Sequence, residues 1–279
     1  MTDSARHNHP DLWRASMPRL SPDTHKYERG HALIVGGYPM TGAARLAARA
    51  AARMGAGLTT VAVPQVAFPI YAASLTSVMV HPLAAVDGLA NLLAERRFSA
   101  LLIGPGAGVG AQTCTDTLAV LGAGRPTLLD AGALTSFSGN AEPLFAAIAG
   151  DCVMTPHEGE FARLFGNAGT RAERAAIAAR RSGAIVVLKG RETIVAAPDG
   201  RVIVNGNAPP TLATAGSGDV LSGMIVGLLA QGVEPFAAAA AATWMHGAAA
   251  ASFGPGLIAD DLPDLIPPIL QQLGQHGAD

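Results

Sequence analysis

The sequence predicts an α/β fold: a mainly parallel central sheet with helices on both faces. Three observations carry that expectation. Apolar runs at 32–35, 58–63, 100–103, 127–129, 152–154 and 185–188 lack the alternation of a half-solvated strand, as strands buried on both faces do. The runs close on a glycine, an acidic residue or another polar or turn-forming residue and lead towards alanine-rich helical stretches, the order of successive βαβ units. Apolar residues make up 49% of the 279 and charged residues 14%, which suits a sizeable core and excludes broad disorder.

That length suits one large domain, expected over residues 23–279, because no linker, repeat or shift in composition divides it. Residues 1–22 are polar, carry Asp3, His7, His9 and Asp11, lack a signal peptide's apolar centre and read as a flexible leader. The longest uncharged stretch, 236–253, is mostly alanine and holds His246. A buried helix fits it better than a membrane span, which needs about 20 strongly apolar residues. No membrane partner is therefore expected, and the cytoplasm is the expected compartment. The net charge is −2, and the densest basic stretch, 171–181, alternates with alanine at helical spacing. It reads as a solvated helix face, so no nucleic-acid partner is expected. Cys114 and Cys152 stand in no zinc or disulfide spacing.

In parallel sheets, ligands bind beyond the carboxyl ends of the strands. The richest segment for chemistry is Thr214-Ala215-Gly216-Ser217-Gly218-Asp219, which opens an apolar helical stretch. Small residues let backbone N–H groups turn towards one point, and the helix start adds its unsatisfied amides and positive dipole end. The result is an anion hole suited to phosphate. Asp219 could simply cap the helix, but a cap needs no glycines before it. A carboxylate beside a phosphate site is costly unless it works as a general base. Gly223 and Gly227, four apart, would let this helix pack closely on a neighbour.

Four further segments follow strand-like runs. Gly36-Gly37-Tyr38-Pro39-Met40-Thr41-Gly42-Ala43-Ala44 reads as a glycine turn into a helix that Thr41 could cap. Ile103-Gly104-Pro105-Gly106-Ala107-Gly108 is a glycine loop, weak by itself and strengthened by its place after a strand. Thr155-Pro156-His157-Glu158-Gly159-Glu160-Phe161 sets a histidine among carboxylates in a turn. Val186-Val187-Leu188-Lys189-Gly190-Arg191-Glu192-Thr193 ends an apolar strand on a lysine, which calls for an anionic partner.

With Ala213 in front, the 214–219 turn resembles the glycine-rich signature of ribokinase-like enzymes. In their order, these motifs resemble the ADP- or ATP-dependent NAD(P)H-hydrate dehydratases over about residues 26–269. The resemblance implies a ribokinase-like fold and nucleotide-driven dehydration of the S-epimer of hydrated NADH or NADPH, releasing phosphate and AMP or ADP. It implies Asp219 as catalytic base and substrate contact, with Ala43, Gly106, Gly108 and His157 also on the substrate. It places ADP or ATP along Lys189, Gly190, Arg191, Glu192 and Thr193 and on the amides of Ala215, Gly216, Ser217 and Gly218. Magnesium would accompany the nucleotide, with Glu160 a candidate partner. Where the family commonly reads Asp-Ala-Asp-Ala-Leu, this chain reads Asp130-Ala131-Gly132-Ala133-Leu134, and Ala215 and Ser217 replace the usual glycine and threonine of the signature. The apolar helices suggest a homo-oligomer. A vitamin or sugar kinase of the same class, and a non-catalytic nucleotide-binding regulator, are the alternative readings.

Overall fold

A computed structural model describes residues 6–275. Its first half runs β1 (Arg6–His7), β2 (His31–Val35), α1 (Thr41–Arg53), β3 (Leu58–Pro64), α2 (Phe68–Ser74), β4 (Met79–Leu83), α3 (Gly88–Leu93) and β5 (Ala100–Ile103). There follow α4 (Ala111–Gly122), β6 (Thr127–Leu129), α5 (Gly132–Thr135), α6 (Glu142–Ala147), β7 (Cys152–Met154), α7 (Glu158–Phe165) and α8 (Arg171–Ser182). The chain closes with β8 (Ile185–Leu188), β9 (Thr193–Ala196), β10 (Val202–Asn205), α9 (Ser217–Ala230), α10 (Pro235–Phe253) and α11 (Leu262–Gln275).

The strands form one 10-stranded sheet in the order β1-β10-β9-β8-β7-β6-β5-β2-β3-β4. Pairing is parallel except at β9, which runs antiparallel to β8 and β10. Successive residues of one strand face opposite ways. Ile34, Leu102 and Val187 pack with α1, α9, α10 and α11, whereas Leu33, Leu101 and Val186 pack with α3 to α8. Burial on both faces explains why the strand-forming runs are apolar without alternation. The alanine-rich stretch is α10, buried along most of its length. Among the described residues no helix is long and apolar enough to cross a membrane.

The expected leader needs correction. From Arg6 onward it is not loose: β1 pairs with β10, Asn8 Nδ2 donates to Asn205 Oδ1 (3.0 Å) and to the Ala240 carbonyl (2.8 Å), and Trp13 is 2% exposed. The burial of one tryptophan and one strand pairing hold this polar segment, while residues 1–5 lie outside the described part. The sheet order reverses at β2, whose neighbours are β3 on one side and β5 on the other. Open sheets bind ligands at such a reversal, and the glycine loops after β2 and β5 meet there.

Candidate active site

The turn before α9 is built around Gly216, whose φ of +89° lies in the left-handed region open to glycine. This conformation aims the helix start into the crevice. Helix α9 begins at Ser217 without a side-chain cap. Asp219 is its third residue and does not cap it, which removes the plainest non-catalytic reading of that carboxylate. The Ser217 amide reaches the Thr214 carbonyl at 3.3 Å and the Val220 amide that of Gly216 at 3.1 Å. Among the described residues, the amides of Ala215, Gly216, Gly218 and Asp219 have no protein acceptor. The unengaged amides are therefore those of Ala215, Gly216 and Gly218 from the expected set, with Asp219's in place of Ser217's.

Helix α9 is held by α1. A Cβ on Gly223 would lie 2.1 Å from the Ala47 carbonyl oxygen, and one on Gly227 2.8 Å from that of Ala51. The expected close packing is real, and it fixes the amide turn against the helix that follows β2. Thr41 is not the cap of α1: the capping position is Met40, with no side-chain bond.

Four charged groups converge beside the turn. Lys189 Nζ, at the end of β8, lies 2.9 Å from Asp130 Oδ1, at the end of β6. Ser222 Oγ donates to Asp130 Oδ2 at 2.7 Å. Burial would strip the proton from Lys189, but Asp130, Glu160 and Asp219 outweigh it and hold its pKa above the usual lysine value. Asp219 is pushed up to about 6 by burial and then by the Asp130 and Glu160 charges, against the pull of Lys189. The anionic partner that a strand-end lysine requires is therefore found inside the protein.

The crevice has two chambers. One, of about 720 Å³, is lined by Lys189, Gly190, Arg191, Glu192, Thr193, Ser217, Gly218 and residues of the 206–213 loop. The second, of about 430 Å³, is lined by Asp130, His157, Glu160, Gly216 and Asp219. Lys189, Gly190, Ser217 and Gly218 border both. The segments expected to hold nucleotide thus meet in the first chamber, while Ala215 borders neither.

On the other side, the loops after β2 and β5 touch, since a Cβ on Gly37 would lie 1.7 Å from the Gly106 carbonyl oxygen. Ala43 faces Gly106, whose added Cβ would stand 3.7 Å from that of Ala43. Tyr71 Oη steadies this corner by donating to the Gly37 carbonyl at 3.0 Å. Gly108 is exposed, and its carbonyl oxygen would lie 2.2 Å from a Cβ on Gly132. The aspartate common at 132 in the family would clash in this backbone.

His157 caps α7. Its Nδ1 accepts from the amides of Gly159 (2.9 Å) and Glu160 (3.3 Å), and its own amide donates to Glu160 Oε2 at 2.9 Å. This reciprocal capping box spends Glu160 on helix structure. Asp130 is likewise committed to Lys189 and Ser222. Among the described residues no group of three or more His, Cys, Asp or Glu stands ready for a bare metal ion. With both carboxylates engaged inside the protein, these residues do not fit a bare metal ion.

Two contributors escaped the sequence reading. Arg171, read as part of a solvated helix face, donates to the carbonyls of Lys189 (3.0 Å) and Glu192 (2.8 Å) and pairs with Glu158 at 2.7 Å. It shapes the loop after β8 from beneath. His246 of α10 borders the larger chamber, with Nε2 buried and unpaired. Burial lowers its pKa to about 4, against the Ser217 backbone. Neither follows from local spacing, because both act on loops distant in sequence.

A family model described as NAD(P)H-hydrate dehydratase matches residues 32–271. The ADP-dependent (S)-NAD(P)H-hydrate dehydratase of Neisseria meningitidis is 39% identical over 86% of this chain and 84% of its own length. The crystal structure of the ADP/ATP-dependent NAD(P)H-hydrate dehydratase from Bacillus subtilis, co-crystallised with ATP and Mg²⁺, superposes with a TM-score of 0.85 at 30% identity, covering 97% of this chain and 99% of that one. A ribokinase-like superfamily protein from Enterococcus faecalis shares the fold with a TM-score of 0.84 at 24% identity, over 96% of each chain. The chain spans about half the length of the bifunctional curated repair enzymes it also matches. On the matched 32–271 span and these likenesses, the chain belongs to the NAD(P)H-hydrate dehydratase family and has a ribokinase-like fold.

Proposed function

We propose that this chain dehydrates the S-epimer of hydrated NADH or NADPH at the expense of ADP or ATP. The observation that carries this reading is a carboxylate, Asp219, free of capping duty beside unengaged amides at the meeting of two chambers. Nucleotide occupies the larger chamber, with its terminal phosphate on the amides of Gly216, Gly218 and Asp219 and on Lys189. The hydrated nicotinamide enters past Ala43, Gly106, Gly108 and His157. Asp219 takes the hydroxyl proton, and the hydroxyl oxygen bonds to the terminal phosphorus. The bond from phosphorus to the bridging oxygen breaks, and AMP or ADP leaves with that electron pair. The ring C–O bond then breaks with phosphate as leaving group, and the adjacent ring carbon gives up a proton to form the C=C bond. Phosphorylation is needed because hydroxide is a poor leaving group. Backbone amides fixed by the α1–α9 packing stabilise the charge that develops during transfer. Magnesium arriving with the nucleotide would neutralise phosphate charge.

The setting proposed is the cytoplasm. Val66, Ile70 and Met79, 63%, 43% and 42% exposed around edge strand β4, support a homo-oligomer. The function is tested by mixing the protein with hydrated NADH, magnesium and ADP or ATP and following reduced-nicotinamide absorbance. Recovery dependent on nucleotide is expected, and its absence would refute the reading.

A further inference from the structure

We propose that Asp130 is the positioning residue of this site: its buried carboxylate clamps the Lys189 ammonium at the wall shared by the two chambers and keeps it off the base. The proposal rests on the phosphoryl-transfer reading above. Asp130 is 1% exposed, and its oxygens take three donors: Lys189 Nζ (2.9 Å) and the Ala131 amide (2.8 Å) on Oδ1, and Ser222 Oγ (2.7 Å) on Oδ2. The Ala131 amide is aimed by a backbone with φ of +46°, a conformation that is costly for a non-glycine residue and clusters at functional sites. A buried ion pair is a poor device for stability, since apolar residues of the same volume do as well or better. A threefold-held buried carboxylate beside a backbone in the left-handed half of φ therefore calls for a reason beyond folding.

The position of the ammonium supplies that reason. A Cβ on Gly218 would stand 3.3 Å from Lys189 Nζ, so the charge lies directly over the amide turn. Asp130 takes only one of its three donor hydrogens, leaving the others for a phosphoryl oxygen. Lysine is a compact charge on a flexible four-carbon stem. Released from Asp130, it would be drawn to Asp219, pairing with the group that must accept the proton.

The clamp leaves a signature that a merely structural contact lacks. The charged and titratable groups around Asp219 are Asp130 from β6, Lys189 from β8, Glu160 and His157 from α7, and, nearer Lys189, His246 from α10. Asp130→Asn keeps the size and most hydrogen bonds but removes one negative charge and frees the lysine. Both changes favour ionised Asp219, so its titration moves to lower pH. The titration is followed by NMR of ¹³C-labelled aspartate carboxyls, alongside single-turnover rates and ADP or ATP binding.

The expected result is a downward shift of the Asp219 titration, a loss of about 10²-fold in the chemical step through misplacement, and a smaller change in nucleotide affinity. On a Lys189→Met background, Asp130→Asn should change the rate by no more than about twofold, because its target is gone. An unmoved Asp219 titration, or an equal rate loss with and without Lys189, overturns the proposal. If the wild type shows no turnover, the dehydratase reading has failed, and the NMR titration alone still decides the role of Asp130. Should Asp130→Asn not fold, Ser222→Ala loosens the same carboxylate. It should slow the chemical step with nucleotide binding unchanged, and an unaltered rate would refute the clamp.

Discussion

At the scale of single residues, the proposed chemistry rests on Asp219. Asparagine at this position keeps size and helix geometry but accepts no proton. Asp219→Asn should therefore lower turnover by about 10²–10⁴-fold while ADP or ATP still binds, as calorimetry would check. Because burial and neighbouring carboxylates raise its pKa to about 6, the base is ionised above that pH and lost below it. The acid limb of kcat/KM should fall near pH 6, well above the roughly 4 of a solvent-exposed carboxylate; a limb near 4 would exclude Asp219 as the base. His157 needs a more careful probe than alanine, because its Nδ1 caps α7. Asparagine caps well, so His157→Asn isolates ligand contact. It should weaken the hydrated dinucleotide by about 1–3 kcal/mol with nucleotide affinity unchanged. Equal loss for both ligands would assign His157 to the loop alone.

At the scale of elements, the six apolar runs were legible as strands because a doubly covered sheet leaves an unbroken apolar pattern. Strand β4 was not, since His81 and Pro82 interrupt it and only an edge position tolerates that proline. Strand β9 lies so close to β8 that its first residue, Thr193, reads as ligand loop; it opens the strand, with Oγ1 donating to the Gly190 carbonyl at 3.3 Å. Strand β1 is two residues long and exists only through its partner. The binding turns were legible because glycine runs and a strand-end lysine are local signals. Asp130 as partner of Lys189 and Arg171 as buttress were not, since each contact spans many residues of sequence. Asn8 tests the corrected view of the N-terminal segment. It bridges to Asn205, whose Nδ2 donates to Asn207 Oδ1 at 2.8 Å, and Gly206 and Ala208 line the larger chamber, where nucleotide is proposed to sit. Asn8→Ala should cost about 1–3 kcal/mol through unpaired groups and weaken nucleotide binding without moving the acid limb. An unchanged melting temperature and nucleotide affinity would show the segment to be dispensable.

At the scale of the whole molecule, acid stability answers to more groups than the acid limb of activity. Burial holds His31 and His246 down to about 4 from 6.5, so both are neutral in the fold and take protons on unfolding. As pH falls from 6.5 towards 4, each favours the unfolded chain. Asp219 acts oppositely between 3.8 and about 6, and Asp116, raised by burial, acts with it, but the histidines cover more of the range between pH 5 and pH 7. The melting temperature should accordingly be lower at pH 5 than at pH 7, and calorimetry showing no fall would contradict this balance. The acid limb of activity, by contrast, is expected to report Asp219. The dehydratase account is tested most directly by stoichiometry: hydrated NADH, magnesium and ADP or ATP are mixed with the protein, and NADH recovered is compared with phosphate released. The account predicts one reduced nicotinamide per phosphate, with neither formed by Asp219→Asn. A stable phosphorylated product without recovery of absorbance, or recovery without nucleotide consumption, would contradict it.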